Sequence, residues 1–139
     1  MNQPTKRAVI VTGGSRGIGA EIVRLLAARD IPVCFNYVTR PDEANALAQE
    51  LNKKGHRFCM VQADVADPES VKRMFEQADQ RLGQLGGLVN NAGFVGIAGL
   101  LIDTLDIETL RKTFDVNVIG PIVCAQEALK RLSTKHSGP

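Results

Sequence analysis

A glycine-rich turn joins the first apolar run of the chain to its first helical stretch, and few folds accommodate that junction. The apolar residues of Arg7–Thr12 are mostly β-branched, which is typical of a strand buried on both faces. Apolar residues then recur at helical spacing over 18–26. Between these segments Gly13 permits a tight turn, Gly17 lets a pyrophosphate approach the backbone, and Gly19 allows the helix to pack closely on the strand.

The same turn is suited to hold phosphate groups. A helix that starts directly after a strand presents free backbone amides and a partial positive charge, and anions bind there. The spacing, Gly-x-x-x-Gly-x-Gly, differs from the commoner Gly-x-Gly-x-x-Gly fingerprint. The alternative is a tight turn that binds no ligand.

Three further strand–helix units follow along the chain. Short apolar runs predict strands at Val33–Tyr37, Phe58–Val61 and Leu88–Asn90. The helical pattern predicts a first helix that ends before Pro32 and a second over Asp42–Lys54. A third helix is capped by Asp67 and ended by Gly83, and a fourth runs from the Asp106 cap to Phe114. A fifth covers about 116–132, with a bend near Gly120–Pro121.

Successive strand–helix units predict an α/β fold. Such units form a parallel, right-handed, doubly wound sheet, and a Rossmann-like arrangement gives the strand order 3-2-1-4. We expect one dinucleotide-binding Rossmann domain over residues 1–139. A sheet of this kind normally continues past its fourth strand, so we expect the domain to be truncated and incomplete after the fourth strand and the long helix. An apolar edge strand would then promote aggregation.

Composition narrows the function classes. The net charge is +2, with basic and acidic residues interleaved, which argues against a nucleic-acid partner. No apolar run reaches the ~18 residues of a membrane span, and the polar N-terminus does not resemble a secretory signal. Cys34, Cys59 and Cys124 lie in apolar stretches without metal-ligand spacing. We expect buried thiols, no bound metal and a cytoplasmic location.

The end of the second predicted strand bears on cofactor choice. A domain that binds NAD usually has an acidic residue there for the ribose hydroxyls. Here no acid occurs before Asp42, and Asn36 and Thr39 would not repel a 2′-phosphate. Arg16 and Arg40 could pair with that phosphate, so we favour NADP over NAD. The alternative for Arg40 is a solvated surface arginine.

Polar residues also follow the third and fourth predicted strands, where ligands bind in parallel sheets. Asp64 could accept a hydrogen bond from the exocyclic amine of adenine, and a loop-capping role is equally consistent with its position. Asn90 and Asn91 could tie neighbouring strand ends together and line the floor of the site. Ala92 and Gly93 are small enough for a ribose or nicotinamide to lie on their backbone.

Taken together, these segments resemble the short-chain dehydrogenases/reductases, within the group of 3-oxoacyl-carrier-protein reductases and sugar dehydrogenases. Residues 12–19 are similar to that family's TGxxxGxG loop and residues 90–93 to its NNAG segment. Asp64-Val65 matches its adenine-site pair, and residues 114–117 match the segment of its active-site asparagine. The four motifs occur in the family's order, within an N-terminal half.

The resemblance implies specific roles. Asn117 would be the catalytic asparagine that holds a water in the proton relay; without the other motifs, it would be interpreted as a helix-interior residue at a bend. The implied cofactor residues are Gly13, Ser15, Arg16, Gly17, Ile18 and Gly19 at the pyrophosphate and adenosine, Tyr37 and Arg40 at the ribose or its phosphate, Asp64 and Val65 at the adenine, and Asn91, Ala92 and Gly93 at the nicotinamide side.

The sequence departs from the family in two respects. Residues 85–87 lack the Asp often found before the NNAG strand. The family's Ser and Tyr-x-x-x-Lys are not present, because the one tyrosine, Tyr37, is followed four residues later by Pro41. We therefore expect this chain alone to be inactive.

Three hypotheses remain. The first is an NADP(H)-dependent oxidoreductase that acts on a small carbonyl or alcohol and is a homo-oligomer at full length. The second is a non-catalytic, truncated nucleotide-binding or dimerisation module. The third is a methyltransferase-like Rossmann domain, against which the NNAG and Asn117 matches argue.

Overall fold

The computed structural model describes residues 5–96, 99 and 101–132 of the chain. Strands and helices alternate in the order that the sequence predicts. The elements are β1 (Ala8–Val11), α1 (Gly17–Ala27), β2 (Val33–Tyr37), α2 (Pro41–Lys53), β3 (Phe58–Gln62), α3 (Pro68–Leu82), β4 (Leu85–Val89), a 3-10 turn (Ile102–Thr104), α4 (Ile107–Phe114), a π-helical turn (Asp115–Ile119) and α5 (Gly120–Leu132).

The strands form one parallel sheet in the order β3-β2-β1-β4, which confirms the predicted Rossmann-like α/β fold. In register, Ile10 of β1 lies opposite Cys34 of β2, and Cys34 lies opposite Cys59 of β3. Because all strands run the same way, their carboxyl ends, and the loops that follow them, meet at one edge of the sheet. The polar residues of the predicted site all belong to that edge.

Helices cover both faces of the sheet, because successive strand residues alternate between two cores. Val11 and Phe35 face α1 and α2, whereas Ile10 and Cys34 face α3 and α5. Phe75 is fully buried in the second core. The cysteines are free and buried, as the sequence predicts; they are Cys34, Cys59 and Cys124.

Two helix ends illustrate the local chemistry. The Asp67 carboxylate accepts a hydrogen bond from the Glu69 amide at 3.2 Å, which confirms it as the cap of α3. Helix α1, by contrast, ends at Ala27, well before the Pro32 that the sequence suggests as its stop. A turn with Asp30 in the left-handed region (φ 57°) separates the two. The chain therefore leaves the helix through local turn geometry before proline has any effect.

Strand β4 begins at Leu85 rather than at Leu88, so the prediction of its start was wrong. Gly86 and Gly87 interrupt the run of apolar residues in the sequence, so no strand was predicted there. In the structure Leu85 is buried, and Gly87 lies opposite Val9 of β1. A β-carbon on Gly86 would lie 2.5 Å from the Arg7 Cβ. Glycine therefore permits the close approach of two strands here instead of ending one.

The helical segment after residue 106 is continuous in its backbone. The residues that join α4 to the π-helical turn, and that turn to α5, all keep right-handed helical dihedrals. The Gly120 amide bonds to the Asp115 carbonyl, five residues back. The irregularity thus lies just before the Gly120–Pro121 pair where we predicted a bend, and it contains Asn117.

None of the helices in the described part of the chain is both long and apolar enough to cross a membrane.

Candidate nucleotide-binding site

The glycine turn is held from both sides by amide side chains. Gly13 has φ 64°, which favours glycine, and its N–H donates to Asn36 Oδ1 at 2.8 Å. Its carbonyl accepts from Asn91 Nδ2 at 3.1 Å. The peptide groups of the turn are therefore fixed by Asn36 of β2 and by Asn91, which follows β4.

Close packing explains two further glycines of the turn. A β-carbon on Gly19 would lie 2.3 Å from the Gly13 carbonyl oxygen, so only glycine lets α1 start so near the strand. Gly14, which we did not single out from the sequence, is equally restricted, because a β-carbon there would lie 2.6 Å from Phe35 Cβ. The two consecutive glycines, Gly13 and Gly14, were the sequence feature that could have indicated this restriction.

Open space surrounds the next part of the turn. Gly17 has φ 55°, and nothing lies within 4 Å of the position of its missing β-carbon. Arg16 and Ile18 are exposed beside it, and Ile18 is 77% exposed. Ser15 is half-buried. The start of α1 therefore has an accessible surface and free amides, which suits a phosphate-bearing ligand.

Thr12 joins β1 to the segment after β4, a role that sequence inspection missed. Its side chain is buried, and its Oγ1 accepts from the amides of Asn91 (3.1 Å) and Ala92 (3.0 Å). Asn91 Nδ2 also donates to the Thr12 carbonyl at 3.0 Å. Asn91 thus ties strand ends together as we suggested, and its side chain is occupied in doing so. Asn90 donates instead to the Pro121 carbonyl of α5 at 3.2 Å.

Asn36 lies elsewhere than we expected. The sequence suggested a residue that tolerates a 2′-phosphate, but the side chain is only 1% exposed. Its Nδ2 donates to the Ala63 carbonyl at 2.8 Å, while its Oδ1 accepts from Gly13. Both polar atoms are therefore used inside the protein, and the side chain does not face a ribose.

The residues after Asn36 reach the surface at the carboxyl end of β2. Tyr37 is half-buried, and Thr39 and Arg40 are exposed. The Arg40 guanidinium lies 3.5 Å from the Glu43 carboxylate, in a pair that is exposed on both sides. Such exposed pairs are weak, so Arg40 can exchange Glu43 for a more highly charged phosphate.

Asp64 and Val65 follow β3 at the same edge of the sheet. Asp64 Oδ1 accepts from the Ala66 amide at 2.9 Å, which is the loop-capping arrangement that the sequence left open. Val65 is buried against α5, where a β-carbon on Gly120 would lie 2.9 Å from Val65 Cγ2. An open cavity of about 360 Å³ lies beside this loop, lined by residues of the loop and of the segment from α4 onward, among them Asp64, Ala66, Ile107, Arg111 and Val116.

Asn117 makes a reciprocal pair with the backbone of Phe94. Its Oδ1 accepts from the Phe94 amide at 2.7 Å, and its Nδ2 donates to the Phe94 carbonyl at 2.6 Å. The π-helical turn is thereby joined to the segment that follows Asn91–Gly93. Sequence inspection gave no indication that Phe94 would be its partner.

The predicted residues therefore assemble at one edge of the sheet. Asn36 of β2 and Asn91 after β4 bond directly to Gly13 of the glycine turn, and Asn36 also bonds to Ala63, which precedes the Asp64 loop. Within the part of the chain that the structure describes, no group of three His, Cys, Asp or Glu residues is arranged to hold a metal ion.

Comparisons with known proteins decide the family. The family model described as short chain dehydrogenase matches residues 7–139. The chain belongs to this family. An uncharacterised oxidoreductase of Escherichia coli is 35% identical over 129 residues, which are 93% of this chain and 52% of that protein. The chain spans about half the length of the curated relatives it matches.

Solved structures of short-chain dehydrogenases are similar as well. A short chain dehydrogenase from Burkholderia cenocepacia, in complex with NADP, is 40% identical, with a TM-score of 0.85. The aligned region is 92% of this chain and 51% of that protein's chain. A blue fluorescent protein from a metagenomic library, in complex with NADPH, has a TM-score of 0.80 and 44% identity over 88% of this chain and 49% of its own. The fold and the family therefore agree with the sequence prediction.

Proposed function

We propose that this chain forms the nucleotide-binding part of an NADP(H)-dependent oxidoreductase. The observation that carries the proposal is the glycine turn, whose backbone is clamped by Asn36 and Asn91 and whose outer side at Gly17 is open. A preorganised turn at a helix N-terminus binds pyrophosphate without having to reorganise. The two similar structures that contain NADP or NADPH support this choice of ligand.

The residues present fit such a dinucleotide. In our proposal the pyrophosphate lies on Gly13, Ser15, Gly17 and Gly19, with Ile18 beside the adenosine. Asp64 has one carboxylate oxygen engaged by Ala66, and its second oxygen is assigned to the adenine amine, with Val65 next to it at the adenine. Ala92 and Gly93 support the nicotinamide side, and the Thr12 hydroxyl holds the start of this segment by accepting from the backbone amides of Asn91 and Ala92.

The preference for NADP over NAD rests on charge at the tip of β2. Arg40 is exposed there, after Tyr37, and the strand residues that precede it include no carboxylate; Arg16, in the glycine turn, is exposed as well. A 2′-phosphate would gain charge-assisted hydrogen bonds from the guanidinium groups. The pair between Arg40 and Glu43 must open for this, at a cost of about 0–1 kcal/mol.

The whole protein, in our proposal, moves hydride between nicotinamide and a small carbonyl or alcohol. The cofactor supplies the hydride, and the protein supplies orientation and a proton path. Asn117 holds the segment at Phe94 in place and orients the π-helical turn, from which it would take part in proton transfer. The 139 residues alone would bind nucleotide without turnover, because Tyr37 has Pro41 rather than a lysine four residues later.

The second candidate is a non-catalytic nucleotide-binding or dimerisation module. It is favoured by the apolar side chains that α4, the π-helical turn and α5 expose, such as Phe114, Val118 and Ile122. The test is NADPH oxidation with a panel of small carbonyls by the protein expressed from its complete coding sequence. Turnover supports the oxidoreductase; tight NADPH binding without any turnover supports the nucleotide-binding module; and an absence of NADPH and NADH binding contradicts both of these and leaves only the dimerisation role.

A further inference from the structure

Asn36 is a polar residue in an otherwise apolar stretch of the sheet. It follows Val33, Cys34 and Phe35, all fully buried, and it is itself 1% exposed. Strands that are covered on both faces are usually apolar along their length, because a buried amide must have hydrogen-bond partners. Packing alone would be satisfied by an apolar residue, so the amide has another role.

The partners of this amide fix its orientation. Oδ1 accepts from the Gly13 amide at 2.8 Å, and Nδ2 donates to the Ala63 carbonyl at 2.8 Å. If the amide were flipped, its NH2 group would face the Gly13 N–H and its oxygen would face the Ala63 carbonyl. An aspartate side chain has no hydrogen-bond donor for the Ala63 carbonyl, and a serine side chain is too short to reach both Gly13 and Ala63. The position therefore requires one donor and one acceptor at this side-chain length.

The two partners belong to different parts of the site. Gly13 starts the glycine turn after β1, and Ala63 directly precedes Asp64 after β3. These two strands are not neighbours, since β2 lies between them. The Asn36 side chain thus spans from one ligand-facing loop to the other across β2. Removing it would leave a backbone donor and a backbone acceptor buried without partners.

We propose that Asn36 is a positioning residue that sets the spacing between the glycine turn and the Asp64 loop. This inference rests on the proposed function, in which the turn holds the pyrophosphate and the Asp64 loop holds the adenine. Both groups belong to one covalently linked part of the ligand with a limited reach, so a change in the spacing between the loops weakens binding even where neither loop loses a contact residue.

The first experiment compares Asn36→Ala with Leu51→Ala in the protein expressed from its complete coding sequence. Leu51 is equally buried, at 1% exposed, but lies near the end of α2, away from the glycine turn. NADPH affinity is measured by nicotinamide fluorescence at a temperature where circular dichroism shows both variants folded. We expect Asn36→Ala to raise the Kd about tenfold, as for loss of a well-formed buried hydrogen bond, and Leu51→Ala to leave it nearly unchanged. If Asn36→Ala does not fold, Asn36→Thr, whose β-branched side chain suits a strand, takes its place.

A double-mutant cycle separates positioning from general destabilisation. Asp64→Asn keeps the oxygen that accepts from Ala66 but faces the adenine amine with a donor instead of an acceptor. If Asn36 acts by placing Asp64, the two substitutions affect NADPH binding non-additively, so Asp64→Asn costs less in the Asn36→Ala background. The pair of Leu51→Ala and Asp64→Asn should remain additive.

The outcomes distinguish the inference from the function on which it rests. A wild-type protein that binds neither NADPH nor NADH contradicts the proposed function. A wild-type protein that binds NADPH, with a folded Asn36 variant that binds equally well, overturns the inference alone. Additive effects of the Asn36 and Asp64 substitutions also overturn it, because they would show that Asn36 does not act through the Asp64 loop.

Discussion

At the scale of single residues, the site is shaped mainly by side chains that a nucleotide would not touch. Thr12, Asn36 and Asn91 are hydrogen-bonded to the backbone of neighbouring loops, and their partners hold the ligand-facing segments in place. In our proposal, direct contact is left to the glycines and small residues, the two exposed arginines, Ile18, Tyr37 and the Asp64-Val65 pair. Affinity therefore depends on a backbone arrangement that three side chains maintain.

Arg40, at the tip of β2, leads to a prediction about cofactor choice. We expect Arg40→Ala to raise the Kd for NADPH about tenfold and to leave the Kd for NADH nearly unchanged, because only the 2′-phosphate would lose a charge-assisted hydrogen bond. Arg29→Ala is the matched control, since Arg29 is exposed and follows α1 at the opposite end. Equal losses for both nucleotides in Arg40→Ala would show that Arg40 does not select the phosphate.

The packing of Gly19 leads to a prediction about the turn itself. In Gly19→Ala the new β-carbon would overlap the Gly13 carbonyl, so either the turn or the start of α1 must shift. We expect a loss of about 1–3 kcal/mol in unfolding free energy and a loss of measurable NADPH binding. Gly55→Ala is the control: Gly55 has φ 71° with open space around it. That variant should lose stability through backbone strain and bind NADPH as the wild type does.

At the scale of elements, the segment from α4 to α5 supports the site from one side. Its π-helical turn directs Asn117 to Phe94, and Gly120 brings α5 against Val65 in the Asp64 loop. Helix α4 is capped by Asp106, whose carboxylate accepts from the Thr109 amide at 2.7 Å; this bond lowers the pKa of Asp106. One continuous helical segment thus contacts two of the loops that form the site.

Helix–loop contact at Gly120 can be tested through stability. Replacing a helical glycine by alanine usually stabilises a protein by up to about 1 kcal/mol. In Gly120→Ala we expect the opposite sign, because the β-carbon would lie 2.9 Å from Val65 Cγ2 and 3.0 Å from the Val65 carbonyl oxygen. Chemical denaturation, with the exposed Gln126→Ala on the same helix as the control, measures the difference. A stabilised Gly120→Ala would contradict close packing of α5 on this loop.

At the scale of the whole molecule, the fold was predictable because its elements leave periodic signals. The glycine turn and the Asp67 cap follow from local patterns, and the strand order follows once those patterns indicate a Rossmann-like arrangement. The features that were not predictable depend on distant contacts. Gly86 lay outside the predicted fourth strand, and its closeness to Arg7 could not be foreseen. Asn36 was considered only as a residue that would not repel a 2′-phosphate, because its partners Gly13 and Ala63 are distant in sequence.

The buried Cys124 gives a pH dependence of global stability. Burial raises the pKa of its thiol to about 11, above the ~8.5 of an unfolded cysteine. The folded state therefore favours the neutral thiol, and this contribution is complete below the unfolded pKa and is lost as pH rises through the folded one. Between about pH 9 and 11 we expect the unfolding free energy of the wild type to fall more than that of Cys124→Ala. The difference between the two losses should be on the order of 2 kcal/mol. Parallel denaturation curves of the two proteins across this range would contradict a thiol of raised pKa.

The apolar surface of the last helical segment predicts how the 139 residues behave alone. Phe114, Val118, Ile119, Ile122 and Leu129 are each more than 40% exposed, and surfaces of this kind cause association in water. We expect the isolated 139-residue chain to self-associate in light scattering. We expect Ile122→Lys combined with Leu129→Glu to reduce the association, because both positions lie on the exposed side of α5. Exchanging the exposed Gln126 for Lys is the control, since it adds charge without removing apolar surface. If Gln126→Lys reduces association as strongly as the double variant, net charge rather than the apolar face controls the behaviour of the chain.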